Sequence, residues 1–188
     1  MKKIAIFASG AGTNAQKIID HFRNSTVAKV ELIVSNNTAA GVLKIADTER
    51  IPVLFIEKKE FNETGYLNEL KNSGINFIVL AGFLWKVPEI LIKAFPEKII
   101  NIHPALLPAH GGKGMYGNAV HNAVINAKEK QSGITIHYVD EKYDHGKLIF
   151  QIPCMVNEDD TSETLAQKIH LLEHKHYPLE IEKILRKG

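Results

Sequence analysis

The sequence is short of cysteine, of long apolar runs and of any large excess of charge. Its single cysteine, Cys154, excludes an internal disulfide and a thiolate metal cluster, and it indicates a reducing cytoplasm. No segment approaches the ~18 consecutive apolar residues that span a bilayer, so we expect no membrane partner. Lys and Arg number 23 against 21 Asp and Glu, a balance that argues against nucleic acid as a partner.

The sequence also lacks repeats, low-complexity tracts and Pro- or Ser-rich linkers. Its 188 residues are the length of one domain rather than two. The start, MKKIAIFASG, places two lysines before an apolar run, but that run is short and ends in a Gly-rich turn, which argues against a secretion signal. We therefore expect a single cytoplasmic domain over residues 1–188.

Strand-like and helix-like segments alternate along the first hundred residues. Short apolar runs predict buried parallel strands, and apolar residues at helical spacing predict helices. The predicted strands cover 3–8, 29–35, 53–56, 77–81 and 99–102, and the predicted helices cover 13–22, 42–50, 61–71 and 88–94. This alternation predicts a parallel sheet covered on both faces.

The pattern changes after residue 102. The predicted elements there are a Pro- and Gly-rich loop over 104–117, a helix over 118–128, an antiparallel strand pair over 134–139 and 148–156, and a helix from Thr161 to the end, interrupted near Pro178. The predicted fold is therefore α/β, a Rossmann-like doubly wound sheet with a parallel N-terminal half, a mixed C-terminal half and a long C-terminal helix. Ligands of such sheets bind beyond the carboxyl ends of the strands.

A glycine-rich loop, residues 9–15, follows the first predicted strand and opens the first helix. Gly10 and Gly12 allow a tight turn and a close approach to a ligand, and the free N–H groups of the helix start favour an anion. A dinucleotide site would also require a carboxylate after the second strand, where this chain has Asn36 and Asn37. A phosphate monoester therefore fits better than NAD, and a tight turn without a ligand remains open.

The strand that ends in Asn101, Ile102, His103 and Pro104 carries an amide and an imidazole on the same side. Such a pair can polarise a carbonyl and hold the oxyanion that forms under attack. A carboxylate beside His103, for which Asp144 is the candidate, would favour the protonated ring and could accept a proton from an amine. Taken singly, His103 is more typical of a histidine that caps loop backbone and Asp144 of a solvated aspartate, so only their combination suggests a catalytic site.

Four segments together carry a resemblance that covers essentially the whole chain. They are 9–14 (SGAGTN), 101–108 (NIHPALLP), 143–146 (YDHG) and 172–178 (LEHKHYP). In this order they resemble the folate-dependent formyltransferase superfamily, and within it the phosphoribosylglycinamide formyltransferases. The resemblance implies transfer of a formyl group from the co-substrate 10-formyltetrahydrofolate to the amine of glycinamide ribonucleotide, in de novo purine (IMP) biosynthesis. It implies no bound cofactor, and we expect a monomer or a homodimer.

The resemblance also implies roles for individual residues. Asn101, His103 and Asp144 match the catalytic trio of the family. The other matches are Gly12, Thr13 and Asn14 for the substrate phosphate, His170 and Glu173 for the substrate sugar and amide, and Leu84, Trp85, Lys86, Val87, Asp140, Glu141, Lys142 and Tyr143 for folate. Leu84 and Trp85 stand where the family often has a Met-Arg pair, and Lys86 is expected to replace the lost charge.

Other patterns are weighed against simpler interpretations. His170, Glu173 and His174 fit the zinc motif H-x-x-E-H, but no third ligand follows at a suitable distance, so we expect no metal. Cys154 has no basic neighbour and is predicted to be an inert thiol. His137 alternates with Thr135 along a strand and is predicted to be structural, with a position lining the site as the alternative. Trp85 is equally typical of a core residue and of one that flanks a flat ring.

Two other functions remain open from the sequence. A superfamily member acting on another amine, such as methionyl-tRNA, would carry a further RNA-binding domain, and a formyltetrahydrofolate hydrolase would carry an N-terminal regulatory domain. We expect neither in a chain of this length and charge. A Rossmann-like nucleotide-binding regulator without chemistry is the alternative from a different class.

Overall fold

The computed structural model describes residues 1–187, in which strands and helices alternate as the sequence predicts. The strands are β1 (Lys2–Phe7), β2 (Ala28–Ser35), β3 (Val53–Phe55), β4 (Phe77–Leu80), β5 (Ile99–His103), β6 (Gln131–Tyr138) and β7 (Leu148–Met155). The helices are α1 (Thr13–Phe22), α2 (Val42–Thr48), α3 (Thr64–Asn72), α4 (Glu89–Ala94), α5 (Asn118–Asn126) and α6 (Ser162–Lys187).

The seven strands form one sheet in the order β3-β2-β1-β4-β5-β6-β7. Strands β1 to β5 are parallel, whereas β6 is antiparallel to both β5 and β7, which confirms the predicted mixed sheet. The strand order reverses between β1 and β4, where the Ser9 N–H donates to the carbonyl of Gly82 at 3.0 Å. A ligand crevice is expected beyond the carboxyl ends at this point of reversal.

Both faces of the sheet are covered by helices, which explains why its central strands are apolar throughout. Along β1, Ile4 and Ile6 pack with residues of α1, α2, α5 and α6, whereas Ala5 and Phe7 pack with α3 and α4 on the other face. Successive side chains of a strand point to opposite faces, so a strand buried on both sides loses the usual polar alternation.

The prediction that the last helix is interrupted near Pro178 is wrong, because α6 runs unbroken through 26 residues with Pro178 inside it. A proline inside a helix removes one backbone hydrogen bond and costs ~3 kcal/mol. Packing of the surrounding turn offsets this cost: Tyr177 is fully buried and its hydroxyl donates to the carbonyl of Leu80 at 2.9 Å, while Ile181 is buried one turn later. These contacts are tertiary and leave no trace in the local sequence.

The other differences concern element ends. Helix α3 begins at Thr64 rather than at residue 61, because Phe61 packs into an aromatic cluster with Phe83 and Trp85 instead of forming a helical turn. Strand β6 begins three residues before the predicted residue 134, at Gln131. Within residues 1–187, no helix has both the length and the apolar character needed to cross a membrane.

Candidate active site

A cavity of about 710 Å³ opens beyond the carboxyl ends of β1, β4 and β5. Of the sixteen predicted site residues, fifteen line this cavity and Glu141 does not. Glu141 is exposed in the loop between β6 and β7, and only its neighbours Asp140 and Lys142 face the cavity. The volume lies within the range of about 300–1,000 Å³ typical of small-molecule sites.

The predicted trio meets at the centre of this cavity. Asn101 Nδ2 lies 3.5 Å from Asp144 Oδ1, and His103 Nδ1 lies 3.5 Å from Asp144 Oδ2. Strand β5 holds Asn101 and His103 two residues apart on one face, and the β6–β7 loop brings Asp144 across 43 residues of sequence. The His103 and Asp144 side chains are only 3% and 10% exposed, so their charges interact with little screening by water.

Local backbone chemistry fixes the position of Asp144. Its φ of 53° lies in the left-handed region, which Asp and Asn adopt more readily than other non-glycine residues. Two residues on, Gly146 has no room for a Cβ beside the Tyr138 carbonyl, so the loop folds tightly against β6. From the opposite side, the Gly112 N–H donates to Asp144 Oδ2 at 2.9 Å.

The His103 ring is held in one tautomer. Its Nε2 lies 2.9 Å from the carbonyl oxygen of His110, and because a carbonyl only accepts, Nε2 must carry a proton. The nitrogen that titrates is therefore Nδ1, which faces Asp144. Burial lowers the pKa of His103, and the charge of Asp144, which raises it, is the weaker influence. The charge of Asp144 therefore acts in the predicted direction, towards the protonated ring, but burial outweighs it.

Asp144 is ionised in this setting. Burial opposes its ionisation, but the hydrogen-bonding contact with His137, the charge of His103 and the N–H of Gly112 together hold the pKa of Asp144 below its usual value. The site at neutral pH therefore pairs a carboxylate with a neutral imidazole.

His137, which the sequence predicts to be structural, belongs to the site. Its Nδ1 donates to the carbonyl of Tyr138 at 2.8 Å, and its Nε2 lies 3.2 Å from Asn101 Nδ2. The same Nε2 lies 3.6 Å from Asp144 Oδ1. The pairing of Asn101 with His137 across β5 and β6 explains the contact. This register was not specified by the sequence pattern.

The glycine loop forms one wall of the cavity, with the start of α1 facing inward. Gly12 has a φ of 81°, and a Cβ there would meet Val42, so this position requires glycine. Asn36 and Asn37, at the end of β2, hold the loop through Ser9 at 2.6 and 3.1 Å. They occupy the place where a dinucleotide site would need a carboxylate, which favours a single anionic group at this loop.

A second polar group lies beside this loop. Glu173 is buried on α6, and its Oε2 accepts from Asn14 Nδ2 and contacts His170 Nδ1, both at 2.9 Å. The hydrogen bond with Glu173 raises the pKa of His170. His121 of α5 also lines the cavity and is buried, and burial lowers its pKa. Sequence reasoning missed His121, because a lone histidine on a predicted helix gives no sign of the direction it faces.

The opposite wall of the cavity is aromatic and apolar. Trp85 packs against Phe61 and Phe83 with ring centroids 6.0 and 6.4 Å apart, and it also lines the cavity. Leu84 and Tyr143 are 45% and 40% exposed at the cavity. A flat ring system can be held between such side chains.

The zinc interpretation finds no support within residues 1–187, where no three His, Cys, Asp or Glu side chains form a group able to hold a metal ion. His170 and His174 stack with ring centroids 6.1 Å apart, and Glu173 is bonded to Asn14 and His170. Burial raises the pKa of the Cys154 thiol.

Comparison with known proteins assigns the family. The family described as Formyl transferase matches residues 2–181. The chain is 41% identical over 183 residues to a chloroplastic phosphoribosylglycinamide formyltransferase of Arabidopsis thaliana, spanning 94% of this chain and 63% of that protein. It is 38% identical to a phosphoribosylglycinamide formyltransferase of Bacillus subtilis, spanning 98% of this chain and 95% of that protein. The solved phosphoribosylglycinamide formyltransferase of Bacillus halodurans superposes with a TM-score of 0.89 at 37% identity, covering 98% and 95% of the two chains. The chain therefore belongs to the formyl transferase family.

Proposed function

We propose that this chain transfers the formyl group of 10-formyltetrahydrofolate to the amine of glycinamide ribonucleotide, a step of purine biosynthesis. The observation that carries the proposal is the meeting of Asn101, His103 and Asp144 in a cavity with an anion-favouring loop on one wall and an aromatic pocket on the other. The relatives named above, and the length over which the Bacillus subtilis protein matches, support it.

Substrate binding follows from the two walls. The N–H groups at the start of α1 and the Thr13 hydroxyl bind the phosphate, and Glu173 accepts from the sugar hydroxyls. The folate ring lies between the segments 84–87 and 140–143. Bound in this way, the two substrates bring the amine of one and the formyl carbon of the other together beside the trio.

The chemistry requires a base and a site for an oxyanion. The amine nitrogen attacks the formyl carbon, the carbonyl electron pair moves to oxygen, and His103 Nδ1 takes the proton that the amine releases. The imidazolium formed is stabilised by the carboxylate of Asp144. When the tetrahedral intermediate collapses, the bond to folate N10 breaks and this nitrogen receives the proton from Nδ1. The products are the N-formylated substrate and tetrahydrofolate.

Asn101 stabilises the oxyanion. Its Nδ2 has two hydrogens, of which one is directed to His137 at 3.2 Å and the other to Asp144 at 3.5 Å. The second contact is long for a hydrogen bond, so the oxyanion can replace it without loss of a strong interaction. The two hydrogen bonds then orient the amide from opposite sides.

Thr13→Val is expected to raise KM for the phosphorylated substrate about tenfold or more with little change in kcat. Thr13 lines the cavity at the start of α1, and a hydrogen bond to a charged group is worth ~1.5–3 kcal/mol. Initial rates measured against glycinamide ribonucleotide give both constants. The dephosphorylated riboside should show equal KM values for variant and wild type, and Thr48→Val on the exposed end of α2 serves as a matched control. An unchanged KM would contradict the phosphate loop.

The pH dependence of kcat/KM should reveal two deprotonations on the acid side. The free amine of the substrate titrates near the ordinary value of about 7.7–8.0, and the amine must be neutral to attack. Burial lowers the pKa of His103 below 6.5, so the second deprotonation occurs at lower pH, and activity falls as His103 becomes protonated. We expect the slope of log kcat/KM against pH to rise from about one to about two below pH 6.5. A slope that never exceeds one would argue against His103 as the base.

The proposed activity is tested by mixing 10-formyltetrahydrofolate with glycinamide ribonucleotide and following the absorbance of the deformylated folate. No turnover, together with a thermal shift on adding NAD(P), would favour the nucleotide-binding regulator. Turnover with another amine only would assign the chain to a different member of the family. We propose the cytoplasm as the compartment, in which a single half-buried cysteine is compatible with a reducing environment.

A further inference from the structure

A short segment between β5 and α5, the strap (residues 107–112), contacts both members of the proposed proton-transfer pair. The His110 carbonyl accepts from His103 Nε2, and the Gly112 N–H donates to Asp144 Oδ2, each at 2.9 Å. At its other end, the Leu107 N–H donates to Thr135 Oγ1 at 3.0 Å. The strap therefore sets the relative position of an imidazole and a carboxylate that approach no closer than 3.5 Å.

The backbone of His110 adopts a left-handed conformation at the point where its carbonyl contacts His103. Its φ of 54° lies in the left-handed region, which few non-glycine residues adopt and which histidine, like asparagine and aspartate, adopts more readily than most. Its side chain is paired: His110 Nε2 lies 3.3 Å from Glu129 Oε1, which belongs to the turn after α5. The pair links the strap to a separate element of the fold, at a point that does not line the active-site cavity.

We propose that His110 and Glu129 are positioning residues, whose pairing holds the His110 carbonyl against His103 Nε2 so that Nδ1 is the nitrogen that exchanges protons next to Asp144. The expected loss of rate rests on the proposed function, whereas the assigned tautomer of His103 is independent of it. Neither residue was singled out by the sequence or by the family resemblance.

The alternative tautomer shows why the carbonyl matters. With the proton on Nδ1, a neutral His103 would leave a bare Nε2 only 2.9 Å from the His110 carbonyl oxygen. This is a closer contact between two acceptors than the 3.5 Å that separates Nδ1 from Asp144 Oδ2 in the other tautomer. The proposed base would then already be occupied. The charged and titratable groups that interact with His103 are Asp144, His137, Glu173 and His121. The hydrogen bond at Nε2 is made with the His110 carbonyl, so this carbonyl is the group that selects the tautomer.

The test is nuclear magnetic resonance of protein labelled with ¹⁵N-histidine, combined with kinetics. In the wild type, His103 should be the Nε2–H tautomer and titrate at Nδ1. In His110→Ala, which removes the pair but leaves a non-glycine residue at positive φ, we expect a mixed tautomer and a kcat lower by about 10- to 100-fold with KM near normal. His110→Gly, which adopts this φ without strain, serves if His110→Ala does not fold, and it should also show the mixed tautomer.

Glu129→Ala should reproduce the effect, whereas Glu129→Gln, which retains an acceptor for the His110 ring, should restore most of the wild-type tautomer and rate. His21→Ala is the matched control, since it removes a comparable His–Glu pair with Glu182 between α1 and α6. A pure Nε2–H tautomer and a normal kcat in both His110 variants would overturn the inference. If the tautomer of His103 changes in these variants but the wild-type protein transfers no formyl group, the proposed function is rejected and the positioning role is retained.

Discussion

His103→Ala is expected to lower kcat by about 10²- to 10⁴-fold, the range that a positioned general base contributes. The ring is buried, and burial lowers the pKa of His103, so at neutral pH its Nδ1 is free to take the proton of the attacking amine. Without it, the amine must release its proton to water that reaches the cavity. Single-turnover measurements with both substrates bound would report this step directly.

Two further measurements separate lost chemistry from lost structure. His103→Gln keeps most of the side-chain volume and an N–H that can donate to the His110 carbonyl, yet it has no base, so its kcat should be as low as that of the alanine variant. The KM values of both substrates should stay near those of the wild type, because the imidazole acts mainly in the transition state. Near-normal turnover in both variants would remove His103 from the mechanism.

Asp144→Asn is expected to lower kcat by about 10²- to 10³-fold, comparable to the loss of one preorganised electrostatic contact. Asparagine is a better substitute than alanine here, because the φ of 53° at this position favours Asn and Asp. The variant keeps the shape of the side chain and loses the charge. The charge of Asp144 raises the pKa of His103. Its removal should therefore move to lower pH the break in the kcat/KM profile, the point at which protonation of His103 makes kcat/KM fall more steeply.

The direction of that shift is the informative result. A break that moves to higher pH would mean that another group sets the protonation of His103. Asp47→Asn, at an exposed position on α2, provides a matched control in which neither kcat nor the break should change. Full activity in Asp144→Asn would show that the Asp144 carboxylate stabilises the loop and takes no part in the reaction.

The order of the elements was predictable because each depends on local periodicity. Buried β1 is apolar at every position from Ile4 to Phe7, and α1 places apolar side chains at helical spacing, so both can be assigned from short windows of sequence. Pro178 shows the limit of this reasoning. Its local effect is to break a helix, and only the packing of Tyr177 and Ile181 beneath it shows that the helix continues.

The same distinction holds for the site. Asn101, His103 and Asp144 were identified by a resemblance of motifs, and residue identity was sufficient to name them. His137 could not be assigned, because its role depends on which residue of β5 lies opposite, and a shift of one residue in the register would turn it to the other face. Glu141 is the one predicted residue that does not line the cavity, although its neighbours Asp140 and Lys142 do, because sequence does not show which residues of a loop face inward.

The sequence by itself determined which chemical groups are present and in what order along the chain, and hence the α/β class, the glycine loop and the family. Only the tertiary structure decided their protonation. Burial lowers the pKa of His103 although a carboxylate lies nearby, and the His110 carbonyl selects its tautomer from seven residues away. Both effects depend on distance and on exclusion of water, which arise when β5, the strap and the β6–β7 loop come together.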